Sequence, residues 1–142
     1  MTFSHDGLRD TLTHLAAPPY FYENLRRDLL SAERHKTRLS LVRFLLESGE
    51  TFQSDSEYEV AILGFSELLT ASTRAEDLCA RLGRFEFTLI LKADDVIARA
   101  LATRVVDSWD SSIMACRYSV LKVNPEESSL EILNRLDTQE LL

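Results

Sequence analysis

Arg74 and Asp77 are the two residues whose types and spacing point most directly to a binding site. A guanidinium fork donates paired hydrogen bonds and a carboxylate accepts them, so together they suit a planar ligand that offers both acceptors and donors. The pair precedes two apolar runs, Leu78–Leu82 and Phe85–Leu91, on either side of a turn at Gly83-Arg84, which is the pattern of a β-hairpin. An Arg and an Asp three residues apart also form a weak ion pair on many protein surfaces, and this alternative stays open.

Apolar periodicity places this hairpin among four helices and two further strands. One sheet with helices packed on it fits that order, so the sequence predicts an α+β fold. Before the hairpin, the predicted elements are a helix opening at Pro18-Pro19 with an apolar stripe at Phe21, Leu25, Leu29 and Ala32, a strand Leu39–Leu46, a polar loop Gly49–Glu57, and a helix with an apolar stripe at Tyr58, Ile62, Phe65 and Leu69. After the hairpin come a helix with a stripe at Ile97, Leu101, Val105 and Trp109 and a strand Ile113–Val123. The last predicted helix follows the capping box Ser128-x-x-Glu131 and has Leu130, Leu133 and Leu136 on one side.

Two motifs carry a resemblance to a known family: the DTLTHL run at residues 10 to 15 and the GRFEF pentapeptide at residues 83 to 87. They resemble the motifs of the GGDEF family, the domain of diguanylate cyclases. The first is similar to the family's Asp-x-Leu-Thr-Gly-Leu motif, and the second matches the family signature at its first, fourth and fifth positions. The likeness covers nearly the whole chain, most clearly at residues 10–30 and 74–104. It implies a ferredoxin-like nucleotidyl-cyclase fold, an α/β sandwich in which helices flank a mainly antiparallel central sheet. The pentapeptide residues are Gly83, Arg84, Phe85, Glu86 and Phe87.

The positions that the family's chemistry needs most are replaced in this chain. The resemblance implies carboxylates that hold a catalytic Mg²⁺ where this chain has Leu45 and Phe85, and neither side chain has an oxygen ligand. Arg84 replaces a glycine whose missing side chain lets a nucleotide approach the backbone. Glu86 remains, and we expect it to be an exposed hairpin charge. The sequence therefore predicts a degenerate domain, without cyclase activity and without a metal or other cofactor.

The family's substrate contacts are also missing. The Asn-Arg pair that follows the first motif corresponds to Ala17 and Pro18, and the segment Gly49–Glu57 has no equivalent of the family's guanine-reading Asn and Asp. We expect Asp10 and Thr13 to brace a turn instead of contacting a ligand.

The resemblance implies a second, inhibitory site that binds the product, cyclic di-GMP. The family marks this site with Arg-x-x-Asp five residues before the pentapeptide, and Arg74 and Asp77 have this spacing. The Arg fork would donate to guanine O6 and N7, and the carboxylate would accept from the N1 and N2 donors. Arg104 stands where the family often adds a second arginine, and Arg81 would supply positive charge near the phosphates.

These residues leave two functions open. One is a cyclic di-GMP receptor or effector that has lost catalysis, with a ligand-linked homodimer as one form. The other is a nucleotide-independent protein-interaction module, or scaffold, in a bacterial signalling pathway. An unrelated enzyme has little support, because His5, His14 and His35 neither pair with a nucleophile nor have metal-ligand spacing.

Composition narrows the class of protein further. The 142 residues fit one domain, with residues 1–17 as a lead-in, and the net charge of −7 argues against a nucleic-acid partner. No apolar run is long enough to span a bilayer, and the N-terminus lacks the pattern of a signal peptide. Cys79 and Cys116 are not in metal-ligand spacing. We therefore expect a cytoplasmic protein with reduced thiols and no membrane partner.

Overall fold

The computed structural model describes residues 3–49, 53–110 and 112–142, and its helices and strands follow the predicted order. No helix within these ranges is long and apolar enough to cross a membrane. The elements are α1 (Pro18–His35), β1 (Ser40–Ser48), α2 (Asp55–Ser72), β2 (Leu78–Gly83), β3 (Glu86–Leu91), α3 (Asp95–Ser108), β4 (Met114–Lys122) and α4 (Ser129–Thr138).

The four strands form one antiparallel sheet in the order β2-β3-β1-β4. β1 lies inside the sheet, where Phe44 is opposite Phe87 of β3 on one side and Tyr118 of β4 on the other. Helices cover both faces of the sheet, which explains why the sequence of β1 is apolar on both faces over most of its length. The predicted α+β fold with an antiparallel, ferredoxin-like sheet is confirmed.

Each face of the sheet has its own apolar core. On the α2–α3 face, Phe44 of β1 packs with Phe65 of α2, and their ring centroids are 5.4 Å apart. On the α1–α4 face, Leu41 of β1 is buried with Phe21 of α1 and Ile132 of α4. Two separate cores therefore hold the helices against a single central layer.

The connections place the residues of interest at opposite ends of the sheet. The β2–β3 turn, the end of β1 and the beginnings of α1 and α2 lie at one end, which we call the tip end. Residues 73–77, the end of β3, the beginning of α3 and the end of α1 lie at the other, which we call the base end. The pentapeptide is therefore at the tip end, and Arg74 and Asp77 are at the base end.

Capping side chains determine where α2 and α4 begin. Ser54 Oγ accepts a hydrogen bond from the Glu57 amide at 3.2 Å, and the Glu57 carboxylate accepts one from the Ser54 amide at 3.3 Å. The predicted capping box of Ser128 and Glu131 is present at α4. The predicted loop Gly49–Glu57 is too long at its end, because the capping box of Ser54 and Glu57 starts α2 at Asp55. Residues 50–52 of that loop lie outside the described ranges.

Replacing Ser54 with alanine is expected to lower the free energy of unfolding by about 1 kcal/mol, because the Glu57 amide loses its acceptor. Urea denaturation followed by circular dichroism measures this change. Ser56→Ala, at an exposed position of the same first turn, is the matched control and should change stability by less than about 0.5 kcal/mol. Equal effects of the two substitutions would contradict the assigned cap.

Two predicted helical stripes each begin at a residue that is exposed, although their later members Leu101, Val105 and Leu136 are buried as predicted. Ile97 and Leu130 are 53% and 68% exposed, whereas Ala98 of α3 and Ile132 of α4 are completely buried. A step of four residues turns a helix by about 400°, so a stripe drawn only at every fourth or every third residue drifts around the helix. Trp109 lies just beyond α3 as its C-cap, and its ring is partly buried in the α2–α3 core.

Candidate functional site

The pentapeptide forms a tight turn at the tip end. Gly83 ends β2 opposite Glu86 of β3, so the turn residues are Arg84 and Phe85 and not the predicted Gly83 and Arg84. The Phe85 ring packs edge-on against Tyr58 of α2, with 5.5 Å between the ring centroids. The Arg84 guanidinium lies 4.8 Å from the Phe85 centroid and 5.5 Å from that of Tyr58. The turn is therefore packed onto the beginning of α2.

Two cross-strand ion pairs occupy the sheet beside this turn. Leu45 of β1 lies opposite Glu86, and Arg43 of the same strand donates to Glu86 Oε1 over 3.2 Å. The Arg43 side chain is only 16% exposed. Glu47 and Arg117 form the second pair, with 3.4 Å between Oε1 and Nη1. The expectation of an exposed hairpin charge at Glu86 holds in part: its side chain is 40% exposed, but it is bonded to a cation from the neighbouring strand.

These residues do not fit a divalent metal ion. Leu45 and Phe85 have no donor atom, and the guanidinium of Arg43 beside Glu86 would repel a second cation. Within residues 3–49, 53–110 and 112–142, no three or more His, Cys, Asp or Glu side chains are grouped so as to hold a metal.

A buried ion pair joins the lead-in segment to β2. Arg81 Nη1 donates to both carboxylate oxygens of Asp10, at 3.0 and 3.1 Å, and both side chains are completely buried. Arg81 Nε and Nη2 donate to the carbonyl of Arg84, at 3.2 and 2.8 Å. The structure therefore corrects the prediction of a ligand contact for Arg81, because its donors are used inside the protein to hold the tip turn.

Asp10 also braces its own turn, as expected from the sequence. Thr13 donates to Asp10 Oδ2 through its amide at 2.8 Å and through its hydroxyl at 2.7 Å. His14 follows with a φ of 61°, in the left-handed region. Glycine adopts this conformation without a steric cost, which explains the glycine that the similar family motif has at this position.

Arg74 and Asp77 lie together at the base end, in the turn before β2. One oxygen of the Asp77 carboxylate accepts from the Arg74 amide at 3.0 Å, and the other accepts from the Lys92 amide at 3.3 Å. The Arg74 side chain is 77% exposed and, within the described part of the chain, forms one loose ion pair, with Glu76 at 3.9 Å. The backbone therefore fixes the carboxylate, while the guanidinium extends into solvent.

Arg104 is exposed on α3, ten positions after the N-cap Asp94, which corresponds to about 15 Å along the helix axis. Among the described residues, no hydrogen bond or ion pair connects it to Arg74 or Asp77. Of the four predicted ligand residues, the structure thus brings two together, leaves Arg104 on a neighbouring helix, and buries Arg81.

Two residues with clear contacts were given no role by sequence reasoning. Arg43 is the only charge inside the apolar stretch of β1, and that isolation was a signal that it needs a partner such as Glu86. Lys92 contacts Asp77 through its backbone, and no side-chain motif reveals such a contact.

Both cysteines are unpaired thiols. Burial raises the pKa of Cys116 to about 12 and also raises the pKa of Cys79. At neutral pH both thiols are therefore protonated and poorly nucleophilic, and neither indicates a reactive centre.

Solved structures of GGDEF proteins share this arrangement of helices and strands. Diguanylate cyclase SiaD from Pseudomonas aeruginosa, in complex with its activator SiaC, is 23% identical with a TM-score of 0.79; the match covers 91% of this chain, which spans only 55% of SiaD. The GGDEF domain of DgcB from Caulobacter crescentus, in complex with c-di-GMP, is 17% identical with a TM-score of 0.81, over 94% of this chain and 88% of that one. The FimX GGDEF domain from Pseudomonas aeruginosa is 16% identical with a TM-score of 0.78, over 91% and 88%.

No protein-family model matches the sequence, and no curated protein matches it. At identities of 16 to 23%, the TM-scores of 0.78 to 0.81 establish the architecture. The chain has the fold of a GGDEF domain.

Proposed function

We propose that this chain is a GGDEF-fold domain that has lost catalysis and binds cyclic di-GMP through Arg74 and Asp77. The observation that carries the proposal is the turn at the base end, where two backbone amides hold the carboxylate and the guanidinium stays exposed. The Asp77 carboxylate is an acceptor that is already ordered before binding, and the Arg74 guanidinium is an available pair of donors. Both suit the edge of a guanine base. The complex of the DgcB GGDEF domain, which has the same fold, with c-di-GMP supports the choice of this ligand.

With its two hydrogen bonds from backbone amides in place, the Asp77 carboxylate can still accept further hydrogen bonds. An ionised carboxylate has about four acceptor positions, so its oxygens can still accept from the N1 and N2 donors of guanine. Because the carboxylate is already ordered, binding costs less side-chain entropy at this residue. Arg74 would exchange water and its loose pair with Glu76 for contacts to O6 and N7.

The tip end supports the non-catalytic part of the proposal. Joining two nucleoside triphosphates requires metal ions that neutralise the phosphates in the transition state. Here Phe85 packs against Tyr58, and the retained Glu86 is paired with Arg43. The two metal-ligand positions therefore carry Leu45 and a packed Phe85, and the one carboxylate that remains nearby, Glu86, is neutralised.

Arg74→Ala is expected to weaken cyclic di-GMP binding by tenfold to a hundredfold, because a bidentate contact to guanine contributes about 1–3 kcal/mol. Isothermal titration calorimetry measures the affinity. Arg34→Ala makes the same change at an exposed position of α1 and should bind as the wild type does. The proposal fails if the wild type gives no heat with cyclic di-GMP, or if Arg74→Ala and Arg34→Ala bind equally well.

A nucleotide-independent interaction module is the second candidate, and exposed apolar surface favours it. Leu30 of α1 is 51% exposed and lines a groove of about 710 Å³ between α1 and the loop that precedes α4. SiaD, which shares the fold, was solved with a protein activator. A wild-type protein that is folded but does not respond to cyclic di-GMP in the titration would favour this function over the receptor.

A further inference from the structure

A cation that belongs to no motif lies beside the Arg74–Asp77 turn. Lys92 donates its amide hydrogen to Asp77 Oδ1 at 3.3 Å, and its side chain is exposed. β2 and β3 pair Leu78 with Ile90, both in the core of the α1–α4 face, and Lys92 follows Ile90 by two positions, directly after the end of β3 at Leu91. Alternation along a strand directs the Lys92 side chain to the same face.

On that face, Lys92 lines a groove of about 440 Å³ between the end of α1 and residues 92–97. The basic residues that line this groove are Lys92, His35 and Arg38, and the acidic ones are Asp28 and Asp94. The Asp94 carboxylate already has a structural role, because it accepts a hydrogen bond from the Ile97 amide at 2.9 Å and so caps α3. Arg38 forms a loose pair with the same carboxylate, at 3.9 Å. Lys92 and Asp28 are the other oppositely charged residues in the lining of this groove.

Asp28 lies within electrostatic range of Lys92. Burial raises the pKa of Asp28, and the positive charge of Lys92 acts against that rise. Asn24 Nδ2 donates to Asp28 Oδ2 at 2.8 Å, which fixes this carboxylate on the α1 wall of the groove. Lys92 itself has a flexible four-carbon stem, so its ammonium can turn from Asp28 toward a ligand at the Asp77 turn.

We propose that Lys92 is part of the same site as Arg74 and Asp77 and binds a phosphate of the cyclic dinucleotide. The inference rests on the proposed function, because it requires the guanine edge to be held by Arg74 and Asp77. The Lys92 side chain starts beside the same carboxylate, its four-carbon stem would let it extend toward the phosphates of a base held there, and an ammonium binds phosphate as a compact charge. Asp28 competes for this ammonium and therefore weakens binding.

Calorimetric titration with cyclic di-GMP tests the inference through two variants with opposite expected effects. Lys92→Gln is expected to weaken binding by about tenfold, because a charge-assisted hydrogen bond is lost. Asp28→Asn is expected to strengthen binding by about threefold, because the competing charge is removed while an oxygen remains to accept from Asn24. Lys122→Gln removes the same charge at the end of β4, beside the other groove, and should bind as the wild type does.

Guanosine, which has no phosphate, separates the contribution of Lys92 from that of Arg74. The affinity for guanosine, measured through its competition with cyclic di-GMP, should be equal for the wild type and Lys92→Gln, and lower for Arg74→Ala. If Arg74→Ala loses cyclic di-GMP binding while Lys92→Gln behaves as Lys122→Gln does, the role of Lys92 is wrong and the proposed function stands. If the wild type does not bind cyclic di-GMP, the proposed function and the role of Lys92 are both wrong.

Discussion

Replacing Arg81 with alanine is expected to lower the free energy of unfolding by about 3–5 kcal/mol, the cost of removing one partner of a buried ion pair. The substitution leaves the Asp10 carboxylate completely buried without its cation. It also removes the two donors to the Arg84 carbonyl, so the tip turn loses its link to β2. Urea denaturation followed by circular dichroism measures the loss.

Two further variants control for the effect of charge alone. Arg26→Ala removes a pair of similar length, 2.8 Å to Glu23, but these side chains are 58% and 54% exposed, so the expected loss is below about 1 kcal/mol. Asp10→Leu combined with Arg81→Met removes both buried charges and should recover part of the stability lost in Arg81→Ala, because Thr13 also loses its acceptor in this variant. Equal losses for Arg81→Ala and Arg26→Ala would contradict the role assigned to the buried pair.

Incubation of the wild-type protein with GTP and Mg²⁺ is expected to yield no cyclic di-GMP. The expectation follows from the tip end, where Leu45 and Phe85 offer no metal ligand and Arg43 neutralises Glu86. Chromatographic analysis of the nucleotides measures product, and an active diguanylate cyclase in the same assay shows that the conditions support the reaction. Product formed by the wild type above the level without protein would overturn the non-catalytic assignment.

Returning the two carboxylates alone is not expected to restore the reaction. Leu45→Asp combined with Phe85→Asp supplies acids at both positions, but Arg43 remains beside Glu86 and the Arg84 side chain still covers the turn, bonded to Asp55 at 3.3 Å. Turnover by this double variant would show that the two arginines are no barrier to metal and nucleotide.

Local sequence pattern was sufficient for most of the fold. The hairpin, the four helices and the Ser128–Glu131 capping box all depend on residues within a few positions of one another, so periodicity and turn residues predicted them. The phase of a helix is less local, because it depends on which side meets the sheet. Ile132 and Leu130 are both apolar, and only the packing of α4 on the α1–α4 face decides that Ile132 is the buried one.

The candidate site was predicted only where its contacts are local. Arg74 and Asp77 are three positions apart, and the structure places them in one turn. Arg81 resembled a surface cation near the pentapeptide, but its partner Asp10 is 71 positions earlier in the chain. Glu86 and its partner Arg43 are 43 positions apart. Pairings over such distances depend on strand order, which the composition of a short segment does not encode.

The Arg81 guanidinium bonds Asp10 through one nitrogen and the Arg84 carbonyl through the other two. Mechanically, this side chain links the lead-in to the tip of the hairpin, in addition to the backbone pairing of Ala16 with Ala80 of β2. A force applied to the backbone at Asp10 would therefore act on β2 and on the hairpin tip together.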